Sequence, residues 1–196
     1  MNIAGVAQAL EKEFQDGSGN GVDNLWSNSD NWFEKGTTTG TSLPTSNDKV
    51  DIVAGDVQVD FAGAESHNLF LSETLTITTD GTLASRTITV GGGGSVVNNG
   101  TFRVLLDIRL TKSSSTFVNM GDINVADVAD GATNNLKISQ GGIFTMNGGT
   151  YNSTGMLDAI ATGTGGTLNL NGGTMNFTDV NWFDTGSTYY GDYTID

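Results

Sequence analysis

The chain contains no cysteine, which removes disulfides, thiolate metal sites and cysteine nucleophiles. It has one proline in 196 residues, and ample Val, Ile, Leu and Phe argue against a disordered chain. Its one histidine, His67, rules out a multi-histidine metal centre and leaves a single candidate for any histidine-paired triad. Basic residues are scarce. Eight Lys and Arg stand against 22 Asp and Glu, for a net charge of −14 and a pI near 4.1. Phosphate recognition needs clustered Lys and Arg, so nucleic acid is excluded as a partner, and anionic membrane surfaces are disfavoured. No apolar run reaches the roughly 18–20 residues of a membrane span, so no membrane insertion is expected. The N-terminus lacks a basic region followed by an apolar core. The expectation is a chain that follows a removed signal or is used without export. Neither the Gly-Gly-x-Gly-x-Asp calcium repeat nor a phosphate-cradling Gly-Lys-Ser/Thr loop is present, so no cofactor and no metal are expected.

What is abundant is glycine, 28 residues, together with threonine, a composition of short strands and tight turns. Residues 166–177 (GTLNLNGGTMNF) read as two strands folded about Asn171-Gly172-Gly173. The phrase occurs upstream as residues 142–151 (GIFTMNGGTY), more loosely at 116–123 and 95–102, and faintly at 77–83 and 52–57. Placing the corners at Val53, Thr79, Asn98, Asn119, Asn147 and Asn171 gives intervals of 19 to 28 residues, a solenoid signature. Asparagine tolerates the left-handed backbone of a corner. Asn98, Asn119, Asn147 and Asn171 are expected to stack as one amide ladder.

Taken in order, Ile3, Val6, Leu10 and Phe14 fall on one helical face, and the pattern predicts an amphipathic helix over 3–14 ended by a Gly-rich linker near residue 20. The helix would cap the open end of the stack or serve as an oligomer contact. Residues 21–196 are expected to form the solenoid domain, aromatic-rich at both ends. Trp26, Asn31-Trp32, Leu43-Pro44 and Asp48 follow before the first regular strand. This opening resembles the first coil of exported, autotransporter-like bacterial and phage β-helix domains. The resemblance covers about thirty residues, implies a solenoid start and carries no activity. On the residues themselves, Trp26, Trp32 and Phe33 would plug the core while Asp48 holds a turn; alternatively Trp26 and Trp32 form a sugar-stacking platform. At the other end Trp182, Phe183, Tyr189, Tyr190 and Tyr193 suggest a second cap, or a contact surface, and Tyr189 and Tyr190 with Trp26 and Trp32 are the residues a glycan-binding module would use.

Residues 101–112 alternate most cleanly, and Arg103, Arg109 and Lys112 form the one basic cluster, read as a solvated face with an internal Arg–Asp pair. His67 lies in Glu65–Asn68, read as a surface loop. Hydrolysis would need carboxylates converging on one glycosidic oxygen, yet Asp56, Asp60, Asp80, Asp107 and Asp122 share no stacking interval; no catalytic residue is assigned. Ice binding would need a Thr-x-Thr ladder. Thr74, Thr76, Thr78 and Thr87, Thr89 supply two rungs that later coils do not continue.

The expected fold is an all-β, right-handed parallel β-helix of about six coils with an N-terminal capping helix, a β-sandwich or jelly roll being the alternative. The expected function is a non-enzymatic structural or adhesive protein of a virion (phage fibre, tail or capsid decoration) or bacterial cell surface, self-associating as a trimer or other closed ring, or binding surface proteins. The alternatives are a glycan-binding module and a polysaccharide lyase or hydrolase using Arg103, Arg109 or Asp107.

Overall fold

Apolar residues alternating at period two, interrupted by Gly- and Asn-bearing corners, specify short strands that turn repeatedly in one sense. The computed structural model describes residues 10–14, 23–37, 42–125, 135–153, 156–158, 166–177, 179–181 and 188–191, and among them there is no α-helix. The chain is a parallel β-solenoid of about five turns, each turn having three sides. Face A is built from β1 (Glu11–Phe14), β3 (Lys49–Ile52), the second halves of β5 (Ala62–Leu71), β7 (Thr82–Val90) and β9 (Thr101–Leu110), then β12 (Asn135–Ile138), β14 (Met156–Asp158) and β16 (Asp179–Asn181). Face B stacks β4 (Val57–Val59), β6 (Thr74–Ile77), β8 (Ser95–Asn98), β10 (Thr116–Asn119), the first halves of β13 (Ile143–Ser153) and β15 (Thr167–Asn176), and β17 (Thr188–Gly191). Face C takes the first halves of β5, β7 and β9, then β11 (Asp122–Val125) and the second halves of β13 and β15.

Alternation decides what points inward. On face B the column Val57, Leu75, Val96, Phe117, Phe144, Leu168 runs in register down the stack, every member buried. The column becomes aromatic toward its lower end: Phe117 and Phe144 stack at 4.9 Å between ring centroids, and Tyr151 meets Phe144 edge-on at 6.0 Å. At the corner between faces B and C the coils almost touch. A Cβ on Gly100 would lie 2.1 Å from the Thr78 carbonyl oxygen, and one on Gly121 2.1 Å from that of Gly100. Only glycine fits that column.

Several expectations change here. The segment Glu11–Phe14 is a strand, not the end of a helix: β1 pairs parallel with β3, and β2 (Trp32–Glu34) adds antiparallel to its other side. Leu10, Lys12 and Phe14 also satisfy period two, and the free edge of β3 selects that reading over the helical one. Phe14 is buried in the core, Leu10 is exposed, and Ile3 and Val6 lie outside the described residues. The helical oligomer contact through Ile3, Val6, Leu10 and Phe14 is therefore lost for its described half. A division of the chain at residue 20 separates β1 from the strand it pairs with. Val53 sits at the corner between faces A and B, whereas Thr79 sits at that between B and C, so the first interval of the repeat frame mixed two kinds of corner. Glu65–Asn68 is not a loop, because β5 runs unbroken through the corner between faces C and A.

The end of the stack is closed by indoles. Trp26 and Trp32 are fully buried 4.6 Å apart, Phe14 meets Trp32 edge-on at 5.2 Å, and Trp32 Nε1 donates to the Trp26 carbonyl at 2.9 Å. Asp48 holds the following turn, its Oδ2 accepting from the Thr45 amide and hydroxyl at 2.9 and 2.8 Å. We expect Trp32→Ala to destabilise the fold by about 3–5 kcal/mol, the range for emptying a buried aromatic site, read as a lowered midpoint in urea denaturation. A loss below about 1 kcal/mol would mean the indole is not part of the core.

Candidate functional site

Burial removes Trp26 and Trp32 as a sugar-stacking platform, since both indoles are enclosed by the cap they form. Tyr189 and Tyr190 fall in β17, in register with Leu168 and Asn169 of face B. Trp182, Phe183 and Tyr193 lie outside the described residues.

The corner asparagines make two separate pairs. Asn98 and Asn119 share a register position on face B and are fully buried, Asn98 Nδ2 donating to Asn119 Oδ1 at 2.7 Å. The next coil places Met146 beneath Asn119, so Asn147 is one residue out of register and faces solvent. There Asn171 Nδ2 donates to Asn147 Oδ1 at 3.0 Å. A one-residue offset moves a strand side chain to the opposite face. The longer amide ladder is on face C, where Asn124, Asn152 and Asn176 are in register, with bonds of 3.3 and 2.8 Å. The signal that could have revealed it is the repeated pair of outward positions Asp122/Asn124, Thr150/Asn152 and Thr174/Asn176.

The sequence-adjacent basic residues diverge. Arg103 projects from face C, Arg109 from face A, and Lys112 lies at the following corner. Arg109 Nε donates to Asp107 at 3.0 Å on face A. Stacking instead brings His67 beside Arg86, 19 residues on, with Nε2 and Nη1 3.5 Å apart. With Glu65, Ser46, Arg103 and Leu105 they line a groove of about 450 Å³ where faces C and A meet. The carboxylates considered for hydrolysis do not converge: Asp56 is at the corner between A and B, Asp60 and Asp80 at that between B and C, Asp107 on face A and Asp122 on face C. Asp60 is engaged by the Ser27 hydroxyl at 2.9 Å.

The three faces differ sharply in outward chemistry. Along the two outward rows of face A, seven of eleven described positions are charged: Glu11, Glu13, Lys49, Asp51, Asp107, Arg109 and Lys137, beside Asn68, Phe70, Thr87 and Thr89. Along the equivalent rows of face B none of eleven is charged. One row reads Thr74, Ser95, Thr116, Ile143, Thr167; the other Gln58, Thr76, Val97, Val118, Thr145, Asn169. Hydrogen bonds tie neighbours within these rows, Thr116 Oγ1 to Ser95 Oγ at 2.8 Å and Asn169 Nδ2 to Thr145 Oγ1 at 3.3 Å. Thr87 and Thr89, expected to share a ladder with Thr74 and Thr76, belong to face A. Thr78 turns into the corner, its hydroxyl donating to the Val59 carbonyl at 3.0 Å. Variable loop lengths hid the neutral rows from sequence spacing.

Comparison with protein-family models, curated proteins and solved structures finds no match. Among the described residues no group of His, Cys, Asp or Glu is placed to hold a metal ion, and no helix is long and apolar enough to cross a membrane.

On face A, Glu11 is bridged by Lys35 at 2.8 Å and by Lys49, and Lys35 also reaches Asp51 at 3.0 Å. These hydrogen bonds, from Lys35 first, hold the Glu11 carboxyl down from the ordinary 4.5 to about 2. A carboxyl lowered on folding contributes stability in full above pH 4.5 and loses it as the pH falls toward 2. Glu11→Gln should therefore soften the decline of the urea midpoint between pH 5 and 2 relative to the parent chain. Parallel declines would show the bridges contribute nothing, as solvent-exposed pairs often do.

Proposed function

We propose that this is a non-enzymatic structural or adhesive β-solenoid that works by presenting face B to a repetitive surface. The observation that carries it is the segregation of charge: a chain of net charge −14 leaves both outward rows of face B neutral at every described rung. An uncharged, regular face keeps no tightly held hydration shell to strip away on contact, while charge on other faces keeps the molecule soluble. The similarity of the opening coil to exported β-helix domains supports a setting on a virion or bacterial cell surface. The test is a pull-down on particulate substrata (ice, chitin, cellulose, whole cells), with solution mass from light scattering. Replacing Val97 and Val118 together by Lys should abolish adsorption, or collapse any oligomer to monomer, while Thr82→Lys on face C should change neither. Equal adsorption and mass in both variants would overturn the reading.

A second reading, a glycan-binding module, rests on the groove where faces C and A meet. There Arg103, His67 and Glu65 offer partners for sugar carboxylates and hydroxyls. Titration with a uronate oligosaccharide should then give binding that Arg103→Gln weakens by about tenfold, the order expected for one charge-assisted hydrogen bond. Undiminished binding by that variant would remove the groove from consideration.

A further inference from the structure

Resting on the reading of face B as the contact surface, we infer that its partner is crystalline water, and that the protein binds ice. Three observations choose this occupant over the others a neutral sheet face could take.

The first is chemical. One outward row carries hydroxyls at Thr74, Ser95, Thr116 and Thr167, and the other sets the methyls of Val97 and Val118 between Thr76 and Thr145. An ice surface offers water molecules and no charge. Methyl groups can sit in its hollows while hydroxyls join its hydrogen-bond net, whereas a Lys or Asp would hold water in its own order. The second is geometric. Parallel rungs lie about 4.8 Å apart and outward residues i and i+2 about 6.6 Å apart along each strand, close to the oxygen spacings on exposed planes of hexagonal ice. From β6 to β13 the pairing on face B runs without a bulge, whereas register shifts fall on face C between Ala62 and Ala64 and at the corner between faces C and A between Ser85 and Thr87. The hydrogen bonds Thr116–Ser95 and Asn169–Thr145 hold hydroxyl and amide groups at those lattice positions before any contact is made. The third is exclusion. The described face is roughly 24 Å by 10 Å, judged from rung spacing, well short of the roughly 800 Å² per partner that a stable protein interface buries. From β4 to β15 no residue of its outward rows is aromatic, and a single aromatic position follows on β17, Tyr190 in register with Asn169, so the face offers no row of rings on which crystalline polysaccharide could stack. A solid that meets every rung at once, and is present in vast excess, suits a small rigid array.

The experiment is ice-affinity partition: slowly growing ice takes up a binding protein, and a non-binder stays in the liquid. The parent chain should concentrate in the ice fraction and facet single crystals under a microscope. Replacing Val97 and Val118 together by Lys should lower the ice fraction by about tenfold, the least that two misplaced ammonium groups at the contact would cost. Thr82→Lys should match the parent. Circular dichroism confirms folding of each variant; if the double variant fails to fold, Val118→Lys alone replaces it. Val97→Thr, which keeps the shape and adds a hydroxyl, should retain the parent's partition. A parent chain left in the liquid, or a Lys variant taken up equally, overturns ice as the partner. If in that case face B variants still lose adsorption to another substratum, the adhesive reading stands and only its partner changes.

Discussion

Everything in this molecule depends on how closely one coil can approach the next. Backbone hydrogen bonds set the rung spacing at about 4.8 Å, and the corner between faces B and C is where side chains would prevent it. A column of glycines there, Gly81, Gly100, Gly121, Gly149 and Gly173, lets carbonyl oxygens occupy the space a Cβ would need. From Gly81 to Gly121 that corner cannot spread, and the residues just before and after it stay in step from β6 to β11, whereas β13 and β15 take up a register shift there. The longer insertion falls elsewhere: Leu110 pairs with Ile138 across a stretch longer than that separating Val90 from Leu110. The regularity of face B is thus a consequence of the corner, not of a regular sequence.

That consequence explains what the sequence made legible. The solenoid was visible because each coil repeats the same local instruction, apolar alternation around a Gly-bearing corner, and local instructions survive changes of loop length. The aromatic plug at Trp26 and Trp32 was visible for a similar reason, since large rings beside an open stack have little else to cover. Lateral order was not visible. Asn119 and Asn147 look equivalent in sequence, but an interval of 28 where 27 was needed puts one inside and the other outside. The terminal helix failed because Leu10 and Phe14 satisfy helical and strand periods equally, and only the free edge of β3 separates the two. His67 and Arg86 came together through an interval of 19 that joins residues without any shared motif.

The interior shows what the stack tolerates for the sake of register. Tyr151 is fully buried, its hydroxyl has no hydrogen-bond partner among the described residues, and burial followed by the nearby Asp107 pushes its ionisation upward. Asn98 likewise leaves its Oδ1 unbonded while Nδ2 is engaged. Each such atom costs about 1–3 kcal/mol. The rings and amides around them return specificity. Phe144 against Tyr151 and Asn98 against Asn119 are correct at one register only, so a slipped coil would lose both contacts. In a fold made of near-identical coils, slippage is the nearest competing structure, and side chains that are poor in energy but specific in position select against it.

The same logic bears on how charge is distributed. Ladders of like charge in register would repel along the whole stack, with rungs only about 4.8 Å apart. Face A avoids this only in part: Glu11 faces Lys49, Lys35 reaches Asp51, Arg109 bonds Asp107 within its own strand, and Asn68, Thr87 and Thr89 are interposed. Glu13 with Asp51 and Arg109 with Lys137 stay in register with like sign. Face C inserts Arg103 between neutral residues and closes its lower half with amides that bond one to the next. Stability alone would therefore have permitted mixed charges on face B too, as the other sides demonstrate. Its neutrality across every described rung goes beyond what stacking requires, and that excess is what the proposed contact through this side rests on.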